Sequence, residues 1–307
     1  MFITVRPYAP ADEAALLALL RAPGVREEFE RFDSPQGVAL LLGDPYVPEA
    51  GVRLATVDGE PAGFGFAILV PGSPAWAAPR GAVLPRFRRR GIGRALHASL
   101  HDYVRAQVIV PGVRELSAGA WQPSPGTDAL MAALGYVPER WFWMMARPRG
   151  ESAPAPAWPE GFEGRVFDGS EEALAEWNAA YNDSFAAHFR FVPSDLERLR
   201  KQVRKPGFRA DGVLLARLHG RPAGFCRCEI HCQRGEIGAL GTTRDARGLG
   251  LGRALLRWGV GWLERECTGA VTLVVDGENE GALRLYRSEG FEVTRTRRTW
   301  ARALDAP

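Results

Sequence analysis

Short apolar runs that end at glycine-containing turns alternate along this chain with longer segments of helical spacing. Val52–Val57 and Val213–Leu218 are two such runs. Each leads into a turn and a second apolar stretch, Asp58-Gly59-Glu60-Pro61-Ala62-Gly63-Phe64 in one case and His219-Gly220-Arg221-Pro222-Ala223-Gly224-Phe225 in the other. Both are predicted as β-hairpins. Residues 2–6 and 162–167 read as strands. Residues 11–20 read as a helix with acidic residues in its first turn. Ser170 is placed to cap a helix over 171–177, and Ser194-Asp195-Leu196-Glu197 has the spacing of a capping box before another. Further on, residues 236–242 are strand-like. After them Leu251, Leu255, Trp258 and Trp262 fall on one helical face.

The pattern occurs twice. Besides the hairpins, Arg88-Arg89-Arg90-Gly91-Ile92-Gly93-Arg94-Ala95-Leu96 returns as Arg247-Gly248-Leu249-Gly250-Leu251-Gly252-Arg253-Ala254-Leu255, and Leu134-Gly135-Tyr136 as Glu289-Gly290-Phe291. Three matches in one order at a nearly constant offset mean a duplicated domain. Residues 147–159 carry four prolines among alanines, which predicts an extended, semi-rigid linker. The boundary is therefore placed near residue 150, giving domains 1–150 and 151–307. Each half is expected to be a mixed α/β (α+β) domain, with helices on a mostly antiparallel sheet.

The glycine-rich turn between strand and helix suggests chemistry. Closely spaced glycines let the backbone approach a ligand and aim successive N–H groups at one point. The following helix adds the positive end of its dipole, so the pair suits an anion such as a pyrophosphate. Composition narrows the choice of ligand. A net charge of only +3 argues against a dedicated nucleic-acid binder. No stretch approaches a membrane span, and residues 1–6 begin no signal-peptide core, so a cytoplasmic protein is expected, as monomer or homodimer. Three cysteines within seven residues do not make a secreted disulfide framework.

These residues resemble the GNAT superfamily of acyl-CoA-dependent N-acyltransferases. That family's mark is Arg or Gln, two residues, Gly, one residue, then Gly or Ala, between a strand and a helix. The chain has it at Arg88, Gly91 and Gly93, and again at Arg247, Gly250 and Gly252. The second copy adds Asn279, Tyr286 seven residues later, and Gly290-Phe291. The resemblance implies two tandem GNAT domains and acetyl-CoA as acyl donor, without a metal. It implies that Leu240, Gly241 and Thr242 pair with the pantetheine arm, that amides of Arg247, Gly248, Leu249, Gly250, Leu251, Gly252 and Arg253 bind the pyrophosphate, and that Asn279 holds the arm from its other side. In the first half Val83, Arg88, Arg89, Arg90, Gly91, Ile92, Gly93 and Arg94 would form the matching cradle. Tyr286 would protonate the departing thiolate as a neutral phenol. Glu236, eleven residues before Arg247, is the general base expected for the amine, on a strand face shared with Gly238, Leu240 and Thr242.

The halves differ where chemistry would occur. At the spacing of Tyr286 the first half has Met131, at that of Glu236 it has Ala77, and at that of Asn279 it has Ser124. Methionine donates no proton and alanine accepts none, so catalysis is expected in the second half, with the first binding CoA without turnover or serving as a structural partner. The expected reaction is direct transfer of an acetyl group to the amine of a small molecule, with two alternatives. One is an acyl-CoA sensor without turnover. The other is a tandem form of the family that acetylates the cysteine amine of a thiol sugar. His188, in a polar and aromatic stretch, is a candidate acceptor contact. Cys226, Cys228, His231 and Cys232 invite a zinc reading, but an extended strand cannot converge them at metal–ligand distances, and buried strand cysteines are expected instead.

Overall fold

A computed structural model describes residues 1–72, 74–150, 153–205, 207–231 and 234–305. Two compact units emerge. The first comprises Met1–Trp141 together with the chain from Thr296 on, and the second Phe142–Arg295.

In chain order the elements begin with β1 (Ile3–Pro7), α1 (Glu13–Arg21), α2 (Arg26–Phe29), α3 (Pro35–Leu42), β2 (Val52–Val57), β3 (Glu60–Val70) and β4 (Ala75–Val83). Then follow α4 (Ile92–Ala106), β5 (Val113–Gln122), α5 (Pro125–Ala133) and β6 (Val137–Arg147). The second copy runs β7 (Phe162–Val166), α6 (Glu171–Phe185), α7 (Leu196–Val203), β8 (Val213–Leu218), β9 (Arg221–His231) and β10 (Arg234–Thr242). It ends with α8 (Leu251–Glu266), β11 (Val271–Asp276), α9 (Glu280–Ser288) and β12 (Glu292–Ala303).

Each sheet is a mixed one, antiparallel except for a single parallel pair. In the first unit β1 to β4 pair antiparallel in sequence and β4 joins β5 in parallel. The second repeats this from β7 to β11. Both hairpin turns put two successive residues at positive φ, Asp58 and Gly59 in one and His219 and Gly220 in the other, the backbone of a two-residue type I′ turn.

The sixth place in each sheet departs from the repeat read in the sequence. Residues 296–303 of β12 pair with β5 in the first unit, and residues 142–147 of β6 pair with β11 in the second. The last strand of each sequence repeat thus completes the sheet of the other, so the compact units divide at 141/142 and 295/296 where the sequence suggested a boundary near 150. The proline-rich segment is not a free tether. Arg149 donates to the carbonyls of Cys267 and Glu264, the amide of Ala153 donates to Glu264, and Ala153 and Trp158 pack on the second unit's core.

Local signals hold in most places. Ser170 Oγ accepts from the amide of Ala173. At α7 the cap is Asp195, whose side chain accepts from the amide of Arg198 at 2.7 Å, one residue later than the box spacing suggested. Ser194 is held elsewhere, because the Asn182 carboxamide bonds both its amide and its carbonyl at 2.8 Å. Below the second sheet α8 buries Leu251, Leu255 and Trp262 against Ile237, Leu273 and Met145. Above it α6 buries Trp177 against Phe225 and Leu215.

Candidate active site

Strands β10 and β11 are paired only from Gly235 to Ile237, opposite Val271 to Leu273. Beyond that rung they diverge, and residues 238–242 keep β9 as a partner on one edge only. The backbone along Leu240, Gly241 and Thr242 therefore borders a gap in the sheet, free to pair with an added extended chain.

The glycine turn lies at the wide end of this gap. Gly248 and Gly250 have φ of +77° and +86°, with Gly250 capping α8. A side chain at Gly250 would be strained by that backbone. Among the described residues the amides of Gly248, Leu249, Gly250, Leu251 and Gly252 meet no protein acceptor. The next one, Arg253 N, reaches the carbonyl of Gly250. Five unfilled donors at a helix start suit a pyrophosphate, so the residues fit the CoA that the motif implies. The two arginine side chains are engaged elsewhere. Arg247 donates to the carbonyl of Ser184, and Arg253 pairs with Glu289 at 3.0 Å.

Glu236 sits on the middle of the three paired rungs, opposite Thr272 on one side and Glu229 on the other. Its face differs from the expected one. The β9–β10 register slips between Ile237 and Ala239, so Gly238 and Ala239 together oppose Arg227. This bulge inverts the alternation. Ile237 and Leu240 both face α8, whereas Gly241 lies against Ser184 and Phe185 of α6. Glu236 therefore shares its face with Ala239 and Gly241, and Leu240 and Thr242 look the other way. A Cβ at position 238 would stand 2.9 Å from Glu229 Cδ, so a larger residue there would push that carboxylate aside.

Around Glu236 is a charged group that the sequence did not reveal. Arg227 Nη1 lies 2.5 Å from Glu229 Oε1, His231 Nε2 is 3.0 Å from Glu229 Oε2, and the same nitrogen is 3.8 Å from Glu236 Oε2. Alternation along β9 could have suggested that Arg227, Glu229 and His231 share a face, but only the strand register brings Glu229 opposite Glu236.

Tyr286 lies on the other face. Its ring is buried beside Phe291 in the core that α8 covers. Burial, aided by Cys226 nearby, pushes the phenol up to about 12, so it stays protonated at neutral pH. Cys226 is the cross-strand neighbour of Leu240, which puts Tyr286 under the diverging part of β10. Asn279 caps α9, its Oδ1 accepting from the amide of Ala282 at 3.1 Å. One oxygen is thus committed to the helix, and the amide nitrogen has no protein partner among the described residues. His188 follows α6, with its ring 4.4 Å from that of Phe185. Its surface is exposed, yet surrounding protein lowers its pKa, with Asp276 opposing and Arg247 reinforcing that shift. His188 therefore stands near both the end of β11 and the cradle.

On the Glu236 face, α6, α7 and the sheet enclose a cavity of about 150 Å³, bounded by Trp177, Asn178, Tyr181, Gln202, Arg227 and Ala239 among others. Arg227 links this cavity to the carboxylate group.

The first unit has the same frame with its gap closed. Pairing of β4 with β5 ends at Ala77 and Leu116, and Gly91 caps α4 at φ +85°. Arg89 holds φ +63° where Gly248 stands in the copy. Among the described residues the amides of Arg89, Arg90, Gly91, Ile92, Gly93 and Arg94 likewise meet no backbone acceptor, and Val83 lies beside Gly93. Arg88 itself donates to the carbonyls of Val83 and Gly24. The β3–β4 register runs without a bulge. Arg80, at the repeat position of Ala239, reaches across to the carbonyl of Gly119 on β5 at 3.1 Å. Arg297 donates to the same carbonyl and pairs with Glu28 at 3.0 Å, and Glu28 accepts from the amide of Trp121. Met131 is buried, Ala77 is buried, and Ser124 precedes α5.

Cys226 and Cys228 are buried free thiols, and burial raises the Cys228 pKa well above its ordinary value. Cys232 lies outside the described residues. Among the described residues no group of three or more His, Cys, Asp or Glu is placed to hold a metal, and no helix is long and apolar enough to cross a membrane.

Known proteins match this arrangement along the chain. The family model of the acetyltransferase (GNAT) family matches twice, over residues 22–136 and 155–291. A mycothiol acetyltransferase of Thermobispora bispora is 33% identical over 292 residues, covering 92% of this chain and 93% of that protein. That of Salinispora arenicola is 36% identical over 295 residues, covering 92% and 90%. Among solved structures, a GCN5-related N-acetyltransferase from Sphaerobacter thermophilus superposes with a TM-score of 0.79 at 26% identity, over 98% of this chain and 96% of its own. A tandem GNAT protein from the clavulanic acid biosynthesis pathway matches over the whole of both chains with a TM-score of 0.76, at an identity of 18% that speaks to fold alone.

Proposed function

Because the chain belongs to the GNAT acetyltransferase family and its activity is acetyl transfer to an amine, we propose that the second unit carries out that transfer, with Glu236 as general base and Tyr286 as general acid. The observation that carries this reading is the placement of the two groups on opposite faces of the sheet, beside one gap that leads to an open-amide cradle. Acetyl-CoA, when bound, supplies the thioester acyl group. Amides from Gly248 to Gly252 hold its pyrophosphate, the free edge of β10 from Leu240 to Thr242 orients its arm, and the Asn279 amide nitrogen donates to the arm from the side of α9. Glu236 accepts a proton from the acceptor's ammonium, directly or through one water, leaving a neutral amine able to attack the carbonyl carbon. As the carbon–nitrogen bond forms and the carbon–sulfur bond breaks, Tyr286 gives its phenolic proton to the sulfur, and the nitrogen releases its second proton to solvent to leave the neutral amide. Both protein groups return to their starting states by exchange with solvent. His231 and the Arg227–Glu229 pair hold the carboxylate in a fixed electrostatic setting.

The relatives' name supports a narrower choice of acceptor, the cysteine amine of a thiol sugar as in mycothiol acetylation. His188 and the cavity beside Arg227 would form its walls. The first unit is proposed to contribute structure and a phosphate cradle without turnover, since Arg80 bridges its gap and Met131 and Ala77 replace the acid and the base. A CoA-release assay over a panel of amines, run on wild type, Glu236→Gln and Met131→Ala, tests this reading. Glu236→Gln should lower kcat/KM by about 10²-fold or more, and Met131→Ala should leave it within twofold. Equal losses in both variants would remove the division of labour. Acetyl-CoA binding without CoA release for any amine would favour a sensor.

A further inference from the structure

The proline-rich segment ahead of β7 is pinned at both ends of α8. Near the last turn of that helix the amide of Ala153 donates to the Glu264 carboxylate at 3.0 Å. At the first turn the pyrrolidine ring of Pro159 stands beside Gly250, its Cγ 3.5 Å from where a Cβ on that glycine would lie. The rise of α8 from Gly250 to Glu264 is about 21 Å, and the stretch from Ala153 to Pro159 reaches about 19 Å as polyproline II. The segment therefore runs the length of the helix close to its full extension, as its prolines favour. Its second end is fixed further. The Trp158 ring packs on the core and against Gly164 of β7, and the Pro159 carbonyl accepts from the amide of Phe162 at 3.1 Å.

Pro159 thus gives the glycine turn a rigid support. Gly248, Gly250 and Gly252 have no side chains to hold their backbone, and glycine has the most conformational freedom to lose when a ligand orders it. A neighbour with a locked φ, anchored by an indole in the core, holds Gly250 at the φ of +86° that the turn requires. The first unit offers an internal comparison. Gly91, in the matching place at φ +85°, has no atom within 4 Å on that side among the described residues. Of the two cradles, the one in the unit with Glu236 and Tyr286 is the supported one.

We propose that Trp158 and Pro159 are positioning residues for the acyl-CoA cradle: they hold the amides from Gly248 to Gly252 in place before the cofactor arrives, and so set its affinity. Such pre-organisation tightens binding by lowering the cost of ordering, with no contact added. The proposal rests on the reading above that those amides hold the CoA pyrophosphate.

Pro159→Gly removes the ring and the locked φ together, while Pro159→Ala keeps more of the backbone stiffness. The KM for acetyl-CoA and the calorimetric Kd for CoA should rise about tenfold in Pro159→Gly and less in Pro159→Ala, with kcat within twofold of wild type. Acetylpantetheine, which has the same thioester arm and no pyrophosphate, separates the cradle from the fold. Its kcat/KM should be the same in Pro159→Gly and wild type. Ala155→Ser, at an exposed position midway along the segment, should bind CoA as wild type does. Where acetylpantetheine turns over too slowly to read, a weakened CoA Kd with the ligand-free melting temperature kept within about 3 °C supports the same conclusion. Unchanged CoA affinity in Pro159→Gly, or equal losses with both donors, would overturn the positioning role. The expected CoA affinities without CoA release for any amine would leave that role standing and overturn acetyl transfer. A wild type that binds no CoA would overturn the cradle, and this role with it.

Discussion

Replacing Tyr286 by phenylalanine removes a single hydroxyl from a buried ring. No protein group among the described residues accepts a hydrogen bond from that hydroxyl, so its loss strands no partner, and stability should change by less than about 1 kcal/mol. Catalysis should change far more. A positioned proton donor contributes about 10²–10⁴-fold, and with water as a substitute donor a loss of about 10- to 1,000-fold in kcat is expected, or about 1.4–4 kcal/mol in the barrier. The KM for acetyl-CoA should stay nearly constant, because the cradle amides are untouched. The pH response gives a second check. With its pKa near 12 in the fold and an ordinary value of 10.0 when unfolded, the phenol keeps its proton in the native state where the unfolded chain releases it. That contribution to stability is complete below pH 10 and is lost as pH rises toward 12, by about 3 kcal/mol. Buried Tyr136 is shifted in the same direction and adds to the alkaline loss. Urea titrations from pH 8 to 11.5 should therefore show a shallower decline in Tyr286→Phe than in wild type, while CoA release at pH 8 shows the kinetic loss. Turnover within twofold of wild type would refute the acid assignment, and an unchanged alkaline slope would refute the burial argument.

Three other changes probe the frame. His97 is buried against the Tyr136 hydroxyl at 2.8 Å, with its pKa lowered to about 4 mainly by burial. The unfolded chain takes up that proton near pH 6.5, so stability should fall by about 3 kcal/mol as pH drops from 6.5 to 4, and denaturant titrations of His97→Gln should lose that part of the slope. In Gly241→Ala the new Cβ would lie 2.7 Å from Ser184 Cβ at the root of an α6 side chain, and a loss of about 1–3 kcal/mol is expected in thermal unfolding. Asn279→Ala should cost about 1 kcal/mol through the lost cap, whereas Asn279→Asp keeps the cap and removes the amide donor. If cofactor contact matters, Asp should raise the KM for acetyl-CoA without lowering the melting temperature, and equal KM values for Asp and wild type would leave only the cap.

Much of this protein can be read from local patterns, because local physics governs them. Two-residue turns need residues that tolerate positive φ, and Asp58-Gly59 and His219-Gly220 announce both hairpins. Glycines ahead of Leu251 and Ile92 announce two helix starts with unfilled amides, and the repeat itself makes a duplicated fold evident. Tyr286, Asn279 and Glu236 stand at the family's spacing, and their absence from the first copy could be seen by counting. The remaining features depend on contacts between distant segments. An alternation rule assigns Glu236 to the face of Leu240, but it cannot foresee a bulge at Gly238 that arises where β9 and β10 meet. Glu229 becomes a neighbour of Glu236 only through strand register. Arg80 is an ordinary strand arginine until β5 offers it the carbonyl of Gly119 across an open gap. The exchanged last strands cannot be read from either repeat, since a strand's own pattern does not say which sheet edge it joins. Sequence alone thus determined the repeat and the two glycine turns that open α4 and α8, through short-range geometry. Tertiary structure decided which face each group occupies, which gap is open and which strand closes each sheet, because those outcomes depend on pairing energies between segments far apart in the chain.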